Sequence, residues 1–222
     1  MPGMIDLHTH SLLSDGEYLP SELARRAYVK GYQVIGISDH VDPSTIEQVA
    51  AGILAVRAKM EFYTNITIVP GVELTHVPKG LIKEMIRFAR KLGVAYVVVH
   101  GETLAEPVEE GTNQEAIEGG ADILAHPGLI TEELASLAKE RGVLLEISAR
   151  KGHSLTNGHI ARVAGLTGAR LVYNTDAHES SDLTSLEDAK RIVAGAGLFP
   201  DDFLKMQQNA LDLVNRVIKG PK

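Results

Sequence analysis

The sequence predicts an α/β fold: a TIM-like parallel (βα)7 barrel with a C-terminal helix, forming a single domain over residues 1–222. Three observations lead there. Short apolar runs alternate with amphipathic stretches along the whole chain, the pattern of parallel strands joined by helical crossovers. Nearly every apolar run ends in His, Asp or Glu. Closing the sheet brings those ends together at one mouth, where barrels form their active sites, whereas an open sheet spreads them along a line.

The strands read, in order, Met4–His10, Val34–His40, Thr67–Thr75, Ala95–His100, Ala121–His126, Leu144–Ser148 and Arg170–Asp176. Among the helical patterns between them, Leu19–Lys30 has Pro20 at its start and Gly31 just past its end, the usual start and stop signals. Thr131–Arg141 sets Leu134, Leu137 and Ala138 on one face and stops at Gly142. In Thr184–Ala196, a Ser185-x-x-Asp188 capping pattern precedes Ile192, Val193 and Ala196 on one stripe. Asp201–Ile218 forms the last helix, with Phe203, Gln207, Ala210, Leu211, Val214 and Ile218 near one face. No stretch reads as a linker, a low-complexity tract or a short-period repeat.

Composition narrows the function classes. With 44% hydrophobic and 23% charged residues the chain builds a packed core. Cysteine is absent, so any metal must be held by His, Asp, Glu or water. A net charge of −7 argues against a nucleic-acid partner whose phosphates must be neutralised. The start Met1-Pro2-Gly3-Met4 leads straight into a strand with no signal-type segment, and no apolar run approaches the roughly 20 residues of a membrane span. A cytoplasmic location without a membrane partner is expected; the oligomeric state is not legible.

The strand ends carry the chemistry. On the first strand, alternation points Asp6, His8 and His10 the same way, and two imidazoles so spaced can share an ion. Asp15 follows in a Ser14-Asp15-Gly16 turn. Later ends read Ser38-Asp39-His40, Gly71-Val72-Glu73, Val99-His100-Gly101, Ala125-His126-Pro127 and Asn174-Thr175-Asp176-Ala177-His178. Six of the nine histidines fall within two residues of these ends, and so many buried titratable groups need metal ions to pair them.

This set resembles the polymerase and histidinol phosphatase (PHP) family, in order from about residue 5 to residue 178. The resemblance implies a distorted seven-stranded barrel with three divalent metals. It implies that His8, His10, Glu73 and Asp176 hold the first, Asp15, His40 and His178 the second, and Glu73, His100 and His126 the third, with Glu73 bridging. Imidazole and carboxylate donors suit zinc, manganese or iron. Such ions lower the pKa of water and offset charge on a phosphoryl group, which suits ester hydrolysis.

The expected function is therefore a metal-dependent phosphoesterase acting on a small phosphate monoester of the histidinol-phosphate kind. A nucleotide phosphoesterase or exonuclease of the same family is the first alternative. An amidohydrolase-like metal hydrolase, whose barrel also begins with His-x-His, is the second. Glu73, Asp176, Arg150 and His153 are the residues expected at the reaction centre, the last two from the cation-rich loop Ser148–His153. Arg150 is suited to grip phosphate bidentately. Asp6, Asp39 and Glu146 are expected to orient ligands, and His76 and His159 to be structural. The loop Gly101–Asn113, with Glu102, Glu106, Glu109 and Glu110, reads as a lid that favours a cationic amine.

Overall fold

A computed structural model describes residues 3–60 and 65–219; Met1 and Pro2, with which the sequence reading began, lie outside them. The strands are β1 (Met4–Asp6), β2 (Tyr32–Ile37), β3 (His40–Val41), β4 (Thr67–Leu74), β5 (Tyr96–His100), β6 (Ile123–Ala125), β7 (Leu144–Ser148) and β8 (Leu171–Asn174). The helices are α1 (Pro20–Val29), α2 (Ile46–Met60), α3 (Lys79–Leu92), α4 (Thr112–Gly119), α5 (Glu132–Arg141), α6 (Asn157–Thr167), α7 (Leu186–Gly195) and α8 (Pro200–Lys219). The strands are parallel in the order β1-β2-β4-β5-β6-β7-β8, with β3 continuing β2 along β4. This is a nearly closed seven-stranded barrel. Among the described residues, no helix is long and apolar enough to cross a membrane.

Local signals place the helix ends as expected. Thr131 accepts from Leu134 N at 3.2 Å and Ser185 from Asp188 N at 3.1 Å, satisfying orphan N–H groups at the starts of α5 and α7. The apolar faces form one layer between sheet and helices and a second inside the barrel. At the centre of the second layer Tyr96 is fully buried and donates to Leu7 O at 2.9 Å. Its ring fills the space that Cβ atoms would need at positions 36 and 71, which is why both are glycine.

The ring closes by unusual means. Several predicted strands are cut short, because side chains take over backbone bonds near their C-terminal ends. Leu7 N donates to Asn174 Oδ1 and His8 N to Asp6 Oδ1, so β1 stops as a ladder strand at Asp6 instead of His10. Beyond it, Asp176 N bonds His8 O and His10 N bonds Ala177 O, each at 2.8 Å, joining the first and last strands at the mouth. At the other end α8 plugs the barrel with Ala210, Leu213 and Val214. Its Gln207 pairs with both the N–H and the C=O of Ile5, at 2.7 and 3.1 Å, while Asn209 donates to Leu171 O. Two side-chain amides thus replace the missing β1–β8 ladder. Gln207→Ala is expected to lower stability by about 1–3 kcal/mol, the cost of leaving such a pair unsatisfied, measurable by urea unfolding. An unchanged midpoint would assign closure to apolar packing alone.

Candidate metal centre

Three buried carboxylates build the frame of the mouth. Asp39, between β2 and β3, accepts from Ser11 N, Ser11 Oγ and Ser14 Oγ at 2.6, 2.8 and 2.9 Å, and so holds the turn that carries Asp15. Asp6 accepts from His8 N, Thr175 N and Thr175 Oγ1, tying the two seam strands together. Glu146 on β7 lies 2.7 Å from His8 Nδ1 and also accepts from Asn174 Nδ2 at 3.0 Å. A carboxylate on Nδ1 leaves Nε2 of His8 as the lone-pair nitrogen, aimed at the centre.

The donors around that centre are spaced in a telling way. His8 Nε2 lies 3.3 Å from Glu73 Oε1, His10 Nε2 3.2 Å from Asp176 Oδ1, and His100 Nδ1 3.4 Å from Glu73 Oε1. Nε2 of His178 and of His40 lie 3.2 and 3.6 Å from Asp15 Oδ1. Charge-assisted hydrogen bonds run at roughly 2.7–2.9 Å. Donors held in a tetrahedron by bonds of roughly 2.0–2.2 Å stand roughly 3.3–3.6 Å apart. Consistently, Nε2 of His8, both ring nitrogens of His10, His100 and His126, and Oε1 of Glu73 are buried without a hydrogen-bond partner, while Glu73 Oε2 lies 2.7 Å from His40 Nδ1. Burial makes such atoms costly unless an ion satisfies them. The residues present therefore fit divalent cations.

Electrostatics divides the imidazoles: at His8, His40 and His100 burial lowers the pKa but the neighbouring carboxylates outweigh it and raise it, so an ion binding there would displace a proton. Burial, then the neighbouring imidazoles, hold His10 and His126 well below their ordinary pKa, so both are neutral and keep a lone pair for ligation. Burial pushes the Asp176 carboxyl up to about 7, helped by the Glu73 carboxylate and opposed by His8. A carboxyl that resists ionising beside so many imidazoles marks a place short of positive charge.

The structure brings every sequence-predicted site residue to this mouth. His8, His10 and Glu73 form one compact donor group, His10, Asp15, His40 and His178 a second, and Glu73, His100 and His126 a third. Plain strand alternation does not deliver them all. His126 and Asp176 sit at φ +29° and +54°, so the backbone kinks to aim both side chains. Non-glycine residues held there are strained, and such strain gathers at functional sites.

Outside the inner groups, a cavity of about 220 Å³ is lined by Asp15, His40, Arg150, His153 and Asp176 among others. Arg150 donates from Nη1 to Asp176 O at 3.1 Å and lies 3.5 Å from Asp182 Oδ2. His153 stacks on His126 at 4.0 Å between centroids, and its Nδ1 meets Thr103 Oγ1 at 2.8 Å. His159 bonds Ile130 O and is structural, as expected. His76, turned by a φ of +50°, sits at the rim, 3.1 Å from Glu106.

The acidic loop also differs from its sequence reading. Glu102 folds back onto Gly111 N and Asn113 N, and Glu109 contacts Lys79. Glu106 alone of its four acids faces the cavity. Sequence reasoning missed Glu106 as an individual site residue, since no spacing distinguishes it from its acidic neighbours.

Barrel and donor cluster together define a TIM-like α/β barrel protein with a mouth suited to divalent cations. No family model matches the chain. It is 44% identical to an uncharacterised protein of Methanocaldococcus jannaschii, over 87% of this chain and 89% of that one. It is 30% identical to a probable phosphatase of Thermoanaerobacter sp. (strain X514), covering 89% and 88%. The DNA polymerase/3′-5′ exonuclease PolX of Bacillus subtilis is 28% identical over 86% of this chain, which spans 36% of that protein. The chain belongs to the family of these probable phosphatases. Solved structures share its fold: a protein chain of archaeal ribonuclease P with mature tRNA (TM-score 0.71, 18% identity, 95% and 90% covered). Another is histidinol phosphate phosphatase from Lactococcus lactis with zinc, L-histidinol and phosphate (TM-score 0.59, 16% identity, 89% and 95% covered).

Proposed function

We propose that the protein is a metal-dependent phosphoesterase that hydrolyses a small phosphate monoester. The observation that carries this reading is the set of buried, unpartnered imidazole and carboxylate atoms beside a cavity lined by His40, His100, Asp176, His178 and Arg150. The probable-phosphatase relatives support it. His8, His10, Glu73 and Asp176 would hold one ion, Asp15, His40 and His178 a second, and Glu73, His100 and His126 a third, as zinc, manganese or iron. When bound, such ions lower the pKa of water and offset charge on phosphoryl oxygens.

The chain's own residues do the rest. Glu146 keeps His8 in one tautomer, and Asp39 holds the Asp15 turn in place. Arg150, anchored by the Asp176 carbonyl, presents its guanidinium to phosphate at the cavity wall. His153, stacked on His126, lines the same cavity. At about 220 Å³ the cavity is smaller than the roughly 300–1,000 Å³ of drug-sized pockets. That favours a compact leaving group, such as an amino alcohol of the histidinol kind. The PolX relative favours the second reading, a nucleotide phosphoesterase or exonuclease, against which the net charge of −7 counts.

A phosphate-release screen over aryl, sugar, amino-alcohol and nucleotide phosphates, with Mn²⁺ or Zn²⁺ added, tests both. Aryl phosphate turnover is expected, abolished by a chelator and restored by metal. Activity surviving exhaustive chelation would sink the metal reading; preference for nucleotides would select the second.

A further inference from the structure

We propose that His76, His153, Glu106 and the outward nitrogen of His100 form an additional divalent-cation site at the outer rim of the mouth, distinct from the three inner positions. Three Nε2 atoms from three elements converge on one carboxylate. His76 Nε2 and His100 Nε2 lie 3.1 and 3.3 Å from Glu106 Oε2, and His153 Nε2 lies 3.5 Å from Glu106 Oε1. The shortest contact also meets hydrogen-bond geometry. The other two are too long for a charge-assisted hydrogen bond and match the donor spacing around a tetrahedral ion. His76, His100 and Glu106 form a compact donor group of their own, centred away from Glu73.

The independent sign of a ligand is His100. Its side chain is 3% exposed, yet neither ring nitrogen has a hydrogen-bond partner. Nδ1 faces Glu73 and Nε2 faces Glu106, so the ring stands between an inner and an outer group of donors. A neutral imidazole has one lone-pair nitrogen, and the ring therefore serves one side at a time. When His100 serves the inside, His76, His153 and Glu106 still offer three donors and an open position. In the tautomer in which Nδ1–H donates to Thr103 Oγ1, 2.8 Å away, His153 Nε2 is the nitrogen free to ligate. Three imidazoles with one carboxylate suit Zn²⁺ or a similar borderline ion, not Ca²⁺ or Mg²⁺.

Such an ion links the segment after β4, the loop after β5 and the turn after β7, all at the edge of the substrate cavity. It thereby clasps the acidic loop across the mouth. His76 and Glu106 are 44% and 39% exposed at their side chains, so this step is the weakest and the most readily stripped.

The test is Co²⁺ titration of metal-stripped full-length protein, followed by visible absorption, with bound metal counted by mass spectrometry. His76→Gly removes a donor and relieves the φ of +50°, so it preserves the fold; Glu106→Gln removes the carboxylate charge. Wild type is expected to bind one more ion than His76→Gly, or to bind its last ion at least about 10-fold more tightly than either variant. The same number and affinity of ions in wild type and His76→Gly overturns the proposal. So does weakening of an inner step by Glu106→Gln alone, which makes Glu106 an orienting partner of His100. Loss of the outer step leaves inner metal content and phosphate release to be judged separately, so failure here and failure of the phosphoesterase reading are told apart.

Discussion

Folded Glu73→Ala protein is expected to retain less metal than His126→Ala and to lose more than about 100-fold in activity, beyond the roughly 10–100-fold typical of removing an outer partner. Glu73 is fully buried, and its two oxygens face imidazoles of every inner group. Oε1 lies 3.3, 3.4 and 3.8 Å from nitrogens of His8, His100 and His126, and Oε2 lies 2.7 and 3.6 Å from His40 and His10. His126 meets Glu73 through Oε1 alone; it also lies 3.7 Å from Asp176 Oδ2, shares a donor group with His8 and Glu146, and stacks on His153. Removing Glu73 also deletes a negative charge between neighbouring cations. At an effective dielectric of 20 a unit pair about 4 Å apart is worth roughly 4 kcal/mol, enough to favour ejecting one ion. Metal quantification by mass spectrometry on both variants, with folding checked by circular dichroism, reads the difference. Equal stoichiometry in wild type and Glu73→Ala would reduce Glu73 to an orienting group.

Arg150→Ala is expected to lower kcat/KM for phosphate esters about 10- to 150-fold, while bound metal stays as in wild type. The range follows from roughly 1.5–3 kcal/mol for a hydrogen bond to a charged group. Arg150 has no lone pair to offer a cation, and its side chain lies along the cavity wall, not among the inner donors. Since Nη1 also donates to the Asp176 carbonyl, the control is Arg150→Lys. Lysine keeps the charge without the planar fork, so partial rescue is the expected result. An unchanged kcat/KM in Arg150→Ala would return the residue to the role of a loop anchor between Asp176 and Asp182.

The barrel and its metal-type residues were legible because both are local signals. Val97–Val99 before His100 and Leu144–Ile147 before Ser148 announce strands, and a His or carboxylate at nearly every strand end announces the mouth. Asp39 and Glu146 were legible as supports from their places on those strands. What escaped depends on contacts distant in sequence. No pattern near Gln207 says that it stands in for a ladder bond of Ile5. Nothing in Glu102-x-x-x-Glu106 tells which acid folds inward and which faces the cavity. The kinks at His76, His126 and Asp176 escaped for another reason: alternation assumes regular backbone, and left-handed residues break it. That error misplaced His76, which alternation pointed away from Glu73 and the backbone turned toward Glu106.

The seam between β1 and β8 has a bearing on how the protein comes into being. Ile5 and Gln207 are 202 residues apart, and Asp6 and Thr175 169 apart, so the ring joins its earliest-made segment to its latest. Contacts of such separation form slowly, because the chain between them must first be ordered. On the ribosome, His8 and His10 emerge long before Asp176 and His178, and an early strand pair offers an ion two imidazoles with no opposing wall. An ion that needs Asp176 or His178 as well as His8 and His10 would therefore find its full set of donors only once β8 has reached β1.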